Sequence, residues 1–290
     1  MTILLTAAGS RTQRHILPHL RRAGKTIRAF GRSLDRIWFE SHGVTDLVEG
    51  DILDRGALNA AMKGVEQVVH LGPPLNANET VMGRFVIDAA RQAGVRRFIF
   101  LSVIHPQIDY LLNHQAKRLV EEYLVNSRLP FTILQPQHYF QNIDIPQTLA
   151  SGVVALPYSP ERPLGFVDMA DLGEAAGKVI LEDGHDYATY QIASDEHLSG
   201  ADAAAIIARV TGKTIGTHRI PLDEIVAMLA PHFSRADGNV DASADAITRL
   251  FTYYDRYGIK GNGRVLEWLL GRPATRFEAY VARNIPDAGA

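Results

Sequence analysis

A histidine and a lysine three residues apart are the side chains best placed for acid–base chemistry. His114 and Lys117 lie in the stretch HQAKRLVEEYL, whose apolar spacing is typical of a helix. Residues three apart share one helix face, so the two side chains point the same way. A lysine can exchange protons once its surroundings lower its pKa, and a histidine titrates near neutrality. We predict Lys117 and His114 as catalytic residues, with Tyr139 as a further proton donor.

Each of these side chains also has a simpler structural interpretation. Lys117 could form a surface ion pair with Glu121 one turn further on, and His114 could pack or hydrogen-bond at the helix N-terminus. Asp168 and Asp171 in the segment FVDMAD are predicted to be structural, through backbone hydrogen bonds before a helix.

Strands and helices alternate through the first half of the chain. Helical patterns separate six apolar strands, predicted at residues 2–6, 26–30, 45–49, 65–71, 97–103 and 131–134. This alternation predicts an α/β fold with a doubly wound parallel sheet of the Rossmann type. We assign residues 1–150 to that dinucleotide-binding domain. Residues 151–290 form a smaller α/β substrate-binding portion with a loop-rich tail, from which a strand near 190–194 could return to the main sheet.

The turn after the first strand is a degenerate glycine turn. If the strand sets the register, Ala7, Ser10 and Gln13 occupy the three glycine places, and Gly9 stands one position out. We predict that the turn holds a pyrophosphate through residues at the N-terminus of the next helix, namely Ala8, Gly9, Ser10, Arg11 and Thr12. The alternative is a plain strand–turn–helix in which Ser10 is the N-cap.

Residues that follow the second and third strands add to the nucleotide signal. Arg32 follows the second strand, where a dinucleotide's 2′ group lies, and the acidic residue of NAD-selective proteins is missing. An arginine there suits a 2′-phosphate and predicts NADP, with NAD as the alternative cofactor. Asp51 and Ile52 follow the third strand and are predicted to flank the adenine; alternatively Asp51 only turns the chain.

Several segments resemble the NmrA-like family of atypical short-chain dehydrogenase/reductase proteins. They are TILLTAAG at 2–9, GDILD at 50–54, HQAKRLVEEYL at 114–124, LPFTILQPQHYFQNI at 129–143, PLGFVDMADLGEAAGKVI at 163–180, YYDRYGIKG at 253–261 and GRPATRFEAYVARN at 271–284. The resemblance implies an NAD(P)-binding Rossmann core with a small substrate domain. The family includes reductases and nicotinamide-sensing regulators without demonstrated chemistry.

The resemblance also assigns individual residues. It places Lys117 beside the nicotinamide ribose, and Asn113 stands where ordinary short-chain dehydrogenases carry a tyrosine. Ser102 matches a serine at the end of the fifth strand. Phe140 and Asn142 match the segment beside the nicotinamide.

Composition excludes several other classes of protein. The net charge is −2 with both signs interspersed, which argues against a nucleic-acid partner. There is no cysteine, so disulfides and thiolate catalysis are excluded, and a cytoplasmic location is expected. No apolar run is long enough to span a membrane, and the 11 histidines show no metal-ligand spacing, so we predict no membrane association and no metal.

Three functions fit these features. The first is an NADP-preferring oxidoreductase acting on a small, largely apolar carbonyl, quinone or enone. The second is a non-catalytic NAD(P)-sensing or partner-binding regulator, favoured by the missing tyrosine and glycines. The third is a non-redox isomerase or dehydratase on the same fold. The sequence leaves the substrate, a protein partner and the oligomeric state open.

Overall fold

The computed structural model describes residues 1–236 and 238–286. Its strands are β1 Thr2–Leu5, β2 Thr26–Gly31, β3 Asp46–Glu49, β4 Gln67–Leu71, β5 Arg97–Leu101, β6 Phe131–Pro136, β7 His138–Tyr139, β8 Val153–Leu156, β9 Leu164–Val167, β10 Ala188–Ile192, β11 His197–Leu198 and β12 Gly216–Arg219. Its α-helices are α1 Arg11–Arg22, α2 Arg36–Ser41, α3 Arg55–Ala61, α4 Glu79–Gln92, α5 Leu112–Asn126, α6 Ile145–Ser151, α7 Met169–Leu181, α8 Gly200–Thr211, α9 Leu222–Phe233, α10 Val240–Tyr257, α11 Arg264–Leu270 and α12 Phe277–Arg283.

A seven-stranded sheet contains the six strands of the first half of the chain and β10, in the order β10-β6-β5-β4-β1-β2-β3. Strands β1 to β6 pair in parallel, which confirms the predicted doubly wound Rossmann-type fold. Residues of β5 and β6 are buried throughout, as expected for strands covered on both faces. The strand order reverses between β1 and β4, and ligands bind at the carboxyl ends of strands at such a point.

The chain divides into two compact units. The first contains Met1–Pro136 and Leu172–Tyr190, and the second contains Gln137–Asp171 and Gln191–Ala290. The first unit therefore ends earlier than the boundary at residue 150 and regains a later segment. The strand suggested near 190–194 is β10, which lies at the edge of the seven-stranded sheet.

Helices α4 and α5 pack closely on the first unit's core. A Cβ at Gly83 of α4 would lie 2.5 Å from a methyl carbon of Val120 on α5, so only glycine permits this approach. Val86, Ile87 and Leu124 join the same apolar cluster. This contact fixes the first turn of α4 beside the middle of α5, which sets the position of Glu79 relative to Lys117.

The second unit contains small sheets and many helices. Its strands pair as β11-β9-β7 and as β12-β8. The tail predicted to be rich in loops is instead helical over α10, α11 and α12. Asp168 and Asp171 hold this tail: Asp168 binds Arg283 at 2.6 Å, and Asp171 binds Arg272 at 2.8 Å. The two aspartates are thus structural, through long-range side-chain bonds as well as the predicted local backbone bond, here from the Ala170 amide to Asp168.

The described part of the chain contains neither a candidate membrane-spanning helix nor a candidate metal cluster. Within residues 1–236 and 238–286, no helix is long and apolar enough to cross a membrane. The same residues contain no group of three or more histidine, aspartate or glutamate side chains that could hold a metal ion.

Candidate functional site

The turn after β1 bends tightly although alanine, serine and glutamine stand at its three expected glycine places. Ala7 adopts a positive φ of 46°, a conformation that glycine takes more easily. The Ala8 amide donates to the carbonyl of Phe30 at 3.1 Å. A Cβ at Gly9 would lie 3.3 Å from the carbonyl oxygen of Ser33. Gly9 thus occupies the place where the turns after β1 and β2 approach each other.

Gln13 fills the space that a third glycine would leave between helix and sheet. Its side chain is fully buried, and its Nε2 donates to the carbonyls of Thr6 at 3.0 Å and Val69 at 3.1 Å. Thr6 directly follows β1 and Val69 lies in the middle of β4, the two strands at the reversal of strand order. The side chain therefore points inward, toward these two strands.

The N-terminus of α1 retains hydrogen-bond donors for an anion. Ser10 is the N-cap and accepts from the Gln13 amide at 3.3 Å. The backbone amides of Gly9 and Thr12 have no acceptor among the described residues. Free amides at a helix N-terminus attract phosphate, and the exposed side chain of Arg11 stands at the same end. The turn therefore fits a pyrophosphate.

Arg32 is exposed beside this turn. It forms no ion pair among the described residues, whereas Asp35 in the same loop is bound to Arg14 at 3.3 Å and caps α2 through the Trp38 amide. The acid closest along the loop is thus already paired. Asp51 accepts from the Leu53 amide at 2.9 Å, so at least part of its role is to turn the chain after β3. Its neighbour Ile52 is half-buried and packs against the apolar core.

Lys117 lies in a buried ion pair with a partner that the sequence did not indicate. Its Nζ is 2.7 Å from Oε1 of Glu79, and the two side chains are 6% and 1% exposed. The same Nζ is 3.4 Å from the carbonyl of Leu101, the last residue of β5. The alternative of a surface ion pair with Glu121 is therefore wrong in both partner and environment.

His114 is buried and neutral. Its Nδ1 lies 3.0 Å from the carbonyl of His105, so Nδ1 carries the proton and Nε2, which has no partner among the described residues, does not. Burial lowers the pKa of His114 to about 4, the charge of Lys117 adds to this effect, and the bond to His105 opposes it. The prediction that His114 titrates near neutrality is thus wrong.

A second buried histidine lies on β4. His70 Nδ1 is 2.8 Å from the hydroxyl of Thr6, and its ring stacks on Phe100 with centroids 5.7 Å apart. Burial, with the nearby charge of Lys117, lowers the pKa of His70 to about 3. Lys117 is therefore surrounded by imidazoles that stay neutral at physiological pH.

Ser102, directly after β5, forms a hydrogen-bonded group with Glu121, which lies one turn beyond Lys117 on α5. Its hydroxyl donates to Oε1 of Glu121, and Gln135 Nε2 donates to both oxygens of the same carboxylate at 3.0 and 3.2 Å. Burial raises the pKa of Glu121, and these hydrogen bonds oppose the rise. Ser102 is therefore engaged in holding Glu121 at the end of β5.

Three predicted residues lie in the second unit. Tyr139 is half-buried on β7, and Asn142 is exposed with its amide 3.2 Å from Nε2 of His138. Phe140 is fully buried against Phe277, with ring centroids 5.1 Å apart, and against the rings of Phe166 and Tyr280. Its ring has no exposed surface to offer a nicotinamide, so its role is packing within this unit.

The model of the NmrA-like family matches residues 1–281 of the chain. The chain belongs to the NmrA-like family. Among curated proteins, quinone oxidoreductase 2 of Escherichia coli (strain K12) is 25% identical over 244 residues, covering 83% of both chains.

Solved structures share the fold of this family member at low sequence identity. An NADPH-dependent quinone oxidoreductase from Escherichia coli, complexed with NADPH, superposes with a TM-score of 0.77 at 23% identity, covering 97% of this chain and 99% of that chain. Triphenylmethane reductase of Citrobacter sp., complexed with NADP(H), gives 0.79 at 20% identity and coverage of 98% and 100%. The negative transcriptional regulator Nmra, in complex with NAD, gives 0.73 at 19% and coverage of 98% and 95%.

Sequence reasoning missed Glu79 and His70. Glu79 begins α4, where an acid normally stays exposed and interacts with the helix dipole, so nothing in the sequence signals its burial. His70 did carry a signal, because it is one of two polar residues, with Gln67, in a strand that is otherwise apolar on both faces. A polar residue in such a strand needs a buried partner, which Thr6 provides.

Proposed function

We propose that this protein is an NADP-preferring oxidoreductase acting on a small, largely apolar carbonyl, quinone or enone. The observation that carries the proposal is the surface formed by the turn after β1 and the loop after β2. The free amides of Gly9 and Thr12 lie there next to Arg32, which has no acidic partner among the described residues. The similar fold of an NADPH-dependent quinone oxidoreductase from Escherichia coli, solved with NADPH, supports the same cofactor.

The chain's residues divide the binding work. The amides at the start of α1 hold the pyrophosphate, and Arg11 adds a charged donor. Arg32 reads the 2′-phosphate, because a guanidinium binds phosphate through two hydrogen bonds. Lys117 contributes an ammonium at the carboxyl end of β5 for a ribose hydroxyl. The bound cofactor supplies a hydride.

A specific observation also favours a non-catalytic NAD(P)-sensing or partner-binding regulator. His114 is neutral, with no proton on Nε2, and Asn113 stands where dehydrogenases have a tyrosine. The predicted proton donors on α5 are thus reduced to the paired ammonium of Lys117. A regulator needs the binding surface alone, and Nmra, which was solved with NAD, is described as a transcriptional regulator.

A titration of the purified protein with NADPH, NADP and NAD, followed by fluorescence and calorimetry, tests the proposal. We expect NADP to bind more tightly than NAD by about tenfold or more, since charged hydrogen bonds to a phosphate add about 1.5–3 kcal/mol. Arg32→Ala should remove this preference, whereas the matched Arg36→Ala, at an arginine paired with Glu40, should retain it. Absence of binding at millimolar cofactor would contradict both functions.

Turnover separates the two functions. Steady-state assays with NADPH and a panel of quinones, aldehydes and enones should show oxidation of the cofactor if the protein is a reductase. Tight binding without turnover on every member of the panel would support the regulator. Turnover with NADH equal to that with NADPH would contradict the assignment to NADP.

A further inference from the structure

Glu79 is a buried acid that the proposed function does not use. It is the first residue of α4, and its side chain is 1% exposed. A Cβ at Gly72 would lie 3.0 Å from Oε1 of Glu79 and 3.1 Å from its Cγ, so the glycine after β4 leaves room for the carboxylate. The fold therefore accommodates this side chain in the interior.

The carboxylate holds one specific ammonium. An ammonium has three N–H donors. That of Lys117 contacts Glu79 at 2.7 Å and the Leu101 carbonyl at 3.4 Å, and no other acceptor for it occurs among the described residues. One donor is thus left without an acceptor in the described part of the chain. Two partners from different elements fix its direction.

The surrounding charges make Glu79 the counter-ion of Lys117. On β4, His70 is neutral, and on α5, His114 is also neutral. Glu121, the other carboxylate of α5, is bound by Ser102 and Gln135. Burial raises the pKa of Glu79, and the charge and hydrogen bond of Lys117 oppose that rise. An ammonium buried without a counter-ion is strongly disfavoured.

We propose that Glu79 is the positioning residue for Lys117. Its carboxylate pairs with the buried ammonium and holds Nζ at the carboxyl end of β5 as a fixed hydrogen-bond donor. The ligand contact rests on the proposed function: the free N–H binds a ribose hydroxyl of the dinucleotide. Glu79 thus acts through Lys117.

Unfolding measured against pH without any cofactor tests the pairing itself. In Glu79→Gln, the folded state resists protonation of the lone lysine while the unfolded chain accepts it, so the loss of stability shrinks as pH rises. In Lys117→Met, the lone buried carboxyl keeps a proton that the unfolded chain releases, so the loss grows as pH rises. The double variant should show neither slope between about pH 6 and about pH 9.

The control for this cycle is Glu66→Gln, at a half-exposed glutamate of the same unit that pairs with Arg96. It should show little change at any pH, since exposed ion pairs are weak. Losses in the two single variants that do not depend on pH and simply add in the double variant would overturn the pairing. Opposite slopes that vanish together confirm it.

Binding of NADPH, followed by fluorescence, tests the positioning role. Glu79→Gln should raise the dissociation constant about tenfold and make it rise further with pH, because loss of an oriented charged donor weakens the contact. In the Lys117→Met background, the same substitution should change nothing further. Equal weakening in both backgrounds, or unaltered binding in a destabilised Glu79→Gln protein, would overturn the role.

The two experiments also separate this proposal from the proposed function. If the unsubstituted protein binds no NADPH, the function and the ligand contact both fail. The pH-dependent unfolding still decides whether Glu79 controls Lys117. If NADPH binds and Glu79→Gln behaves like Glu66→Gln, the function stands and the positioning role fails.

Discussion

Two regions of the first unit depart from the expected dinucleotide-binding pattern in opposite ways. The turn at residues 7–13 carries other residues at the three expected glycine places but still bends tightly, exposes free amides and meets the loop after β2. The region around Lys117 has kept its lysine, but that lysine is buried against Glu79 instead of standing free.

This difference shows what each kind of site depends on. A phosphate site uses backbone amides, so it survives substitutions provided that the backbone path remains, here with Ala7 in a strained conformation and Gln13 as a bridge. A proton-transfer site uses the titration of side chains, so a change in burial or partner alters it completely. We therefore expect the proposed binding surface to tolerate sequence changes better than the proposed proton transfer does.

The largest effect that tests this comparison is expected at the ion pair. Lys117→Met should lower the free energy of unfolding by about 3–5 kcal/mol at neutral pH, because the buried carboxyl of Glu79 loses its counter-ion and must take up a proton in the folded state. Urea unfolding measures the change, and Lys63→Met, at an exposed lysine, is the control. A loss no larger than that of the control would mean that the pair is not buried as described.

The bridge in the turn should matter somewhat less. Gln13→Ala removes the amide that binds the carbonyls of Thr6 and Val69 and opens a cavity, so we expect a loss of about 2–3 kcal/mol. Arg22→Ala, at an exposed residue of the same helix, is the control. If both variants unfold at the same urea concentration, the hydrogen bonds from Gln13 to the two strands do not stabilise the fold.

Acid should weaken the region around Lys117 through its two histidines. Their folded pKa values, about 3 for His70 and about 4 for His114, lie below the unfolded value of about 6.5. The unfolded chain therefore binds more protons, and stability present above about pH 6.5 is lost as pH falls, by about 2 kcal/mol for the pair at about pH 5.5. His114→Gln should reduce this slope, and the exposed control His218→Gln should leave it unchanged.

The smallest expected effect is a gain in stability from a substitution in the turn after β1. Ala7→Gly should raise the free energy of unfolding by about 0.5–1 kcal/mol, since it relieves a positive φ of 46°. The neighbouring Ala8→Gly, at a buried alanine, should lower it instead. Thermal unfolding of the two variants distinguishes the outcomes, and a loss in both would show that Ala7 is not strained.

The features that could be predicted from the sequence are those that local patterns determine, such as strands, helices and helix ends. Alternating apolar runs placed β1 to β6 and the helices between them, and glycines marked the helix ends. The spacing also placed His114 and Lys117 on one face of α5, and the structure shows that both are buried. It failed where partners are distant: an i,i+4 spacing favoured Glu121, while the ion pair joins residues 38 positions apart through two packed helices.

The prediction of a loop-rich tail in the second unit failed for a related reason. Its helices α10 to α12 carry short or weak patterns interrupted by glycine and proline, and they are held by distant contacts such as Asp168 with Arg283. No local signal reports a partner that lies more than a hundred residues away. The burial of Phe140 against rings from α12 was hidden in the same way.

We propose that the turn after β1 and Arg32 bind the phosphates of a dinucleotide. The most direct test is calorimetric titration with adenosine 2′,5′-bisphosphate and with adenosine 5′-monophosphate, repeated on Arg32→Ala. We predict that the bisphosphate binds about tenfold more tightly to the unsubstituted protein and that the substitution abolishes the difference. Equal affinities in the unsubstituted protein, or a preference that survives Arg32→Ala, would contradict the account.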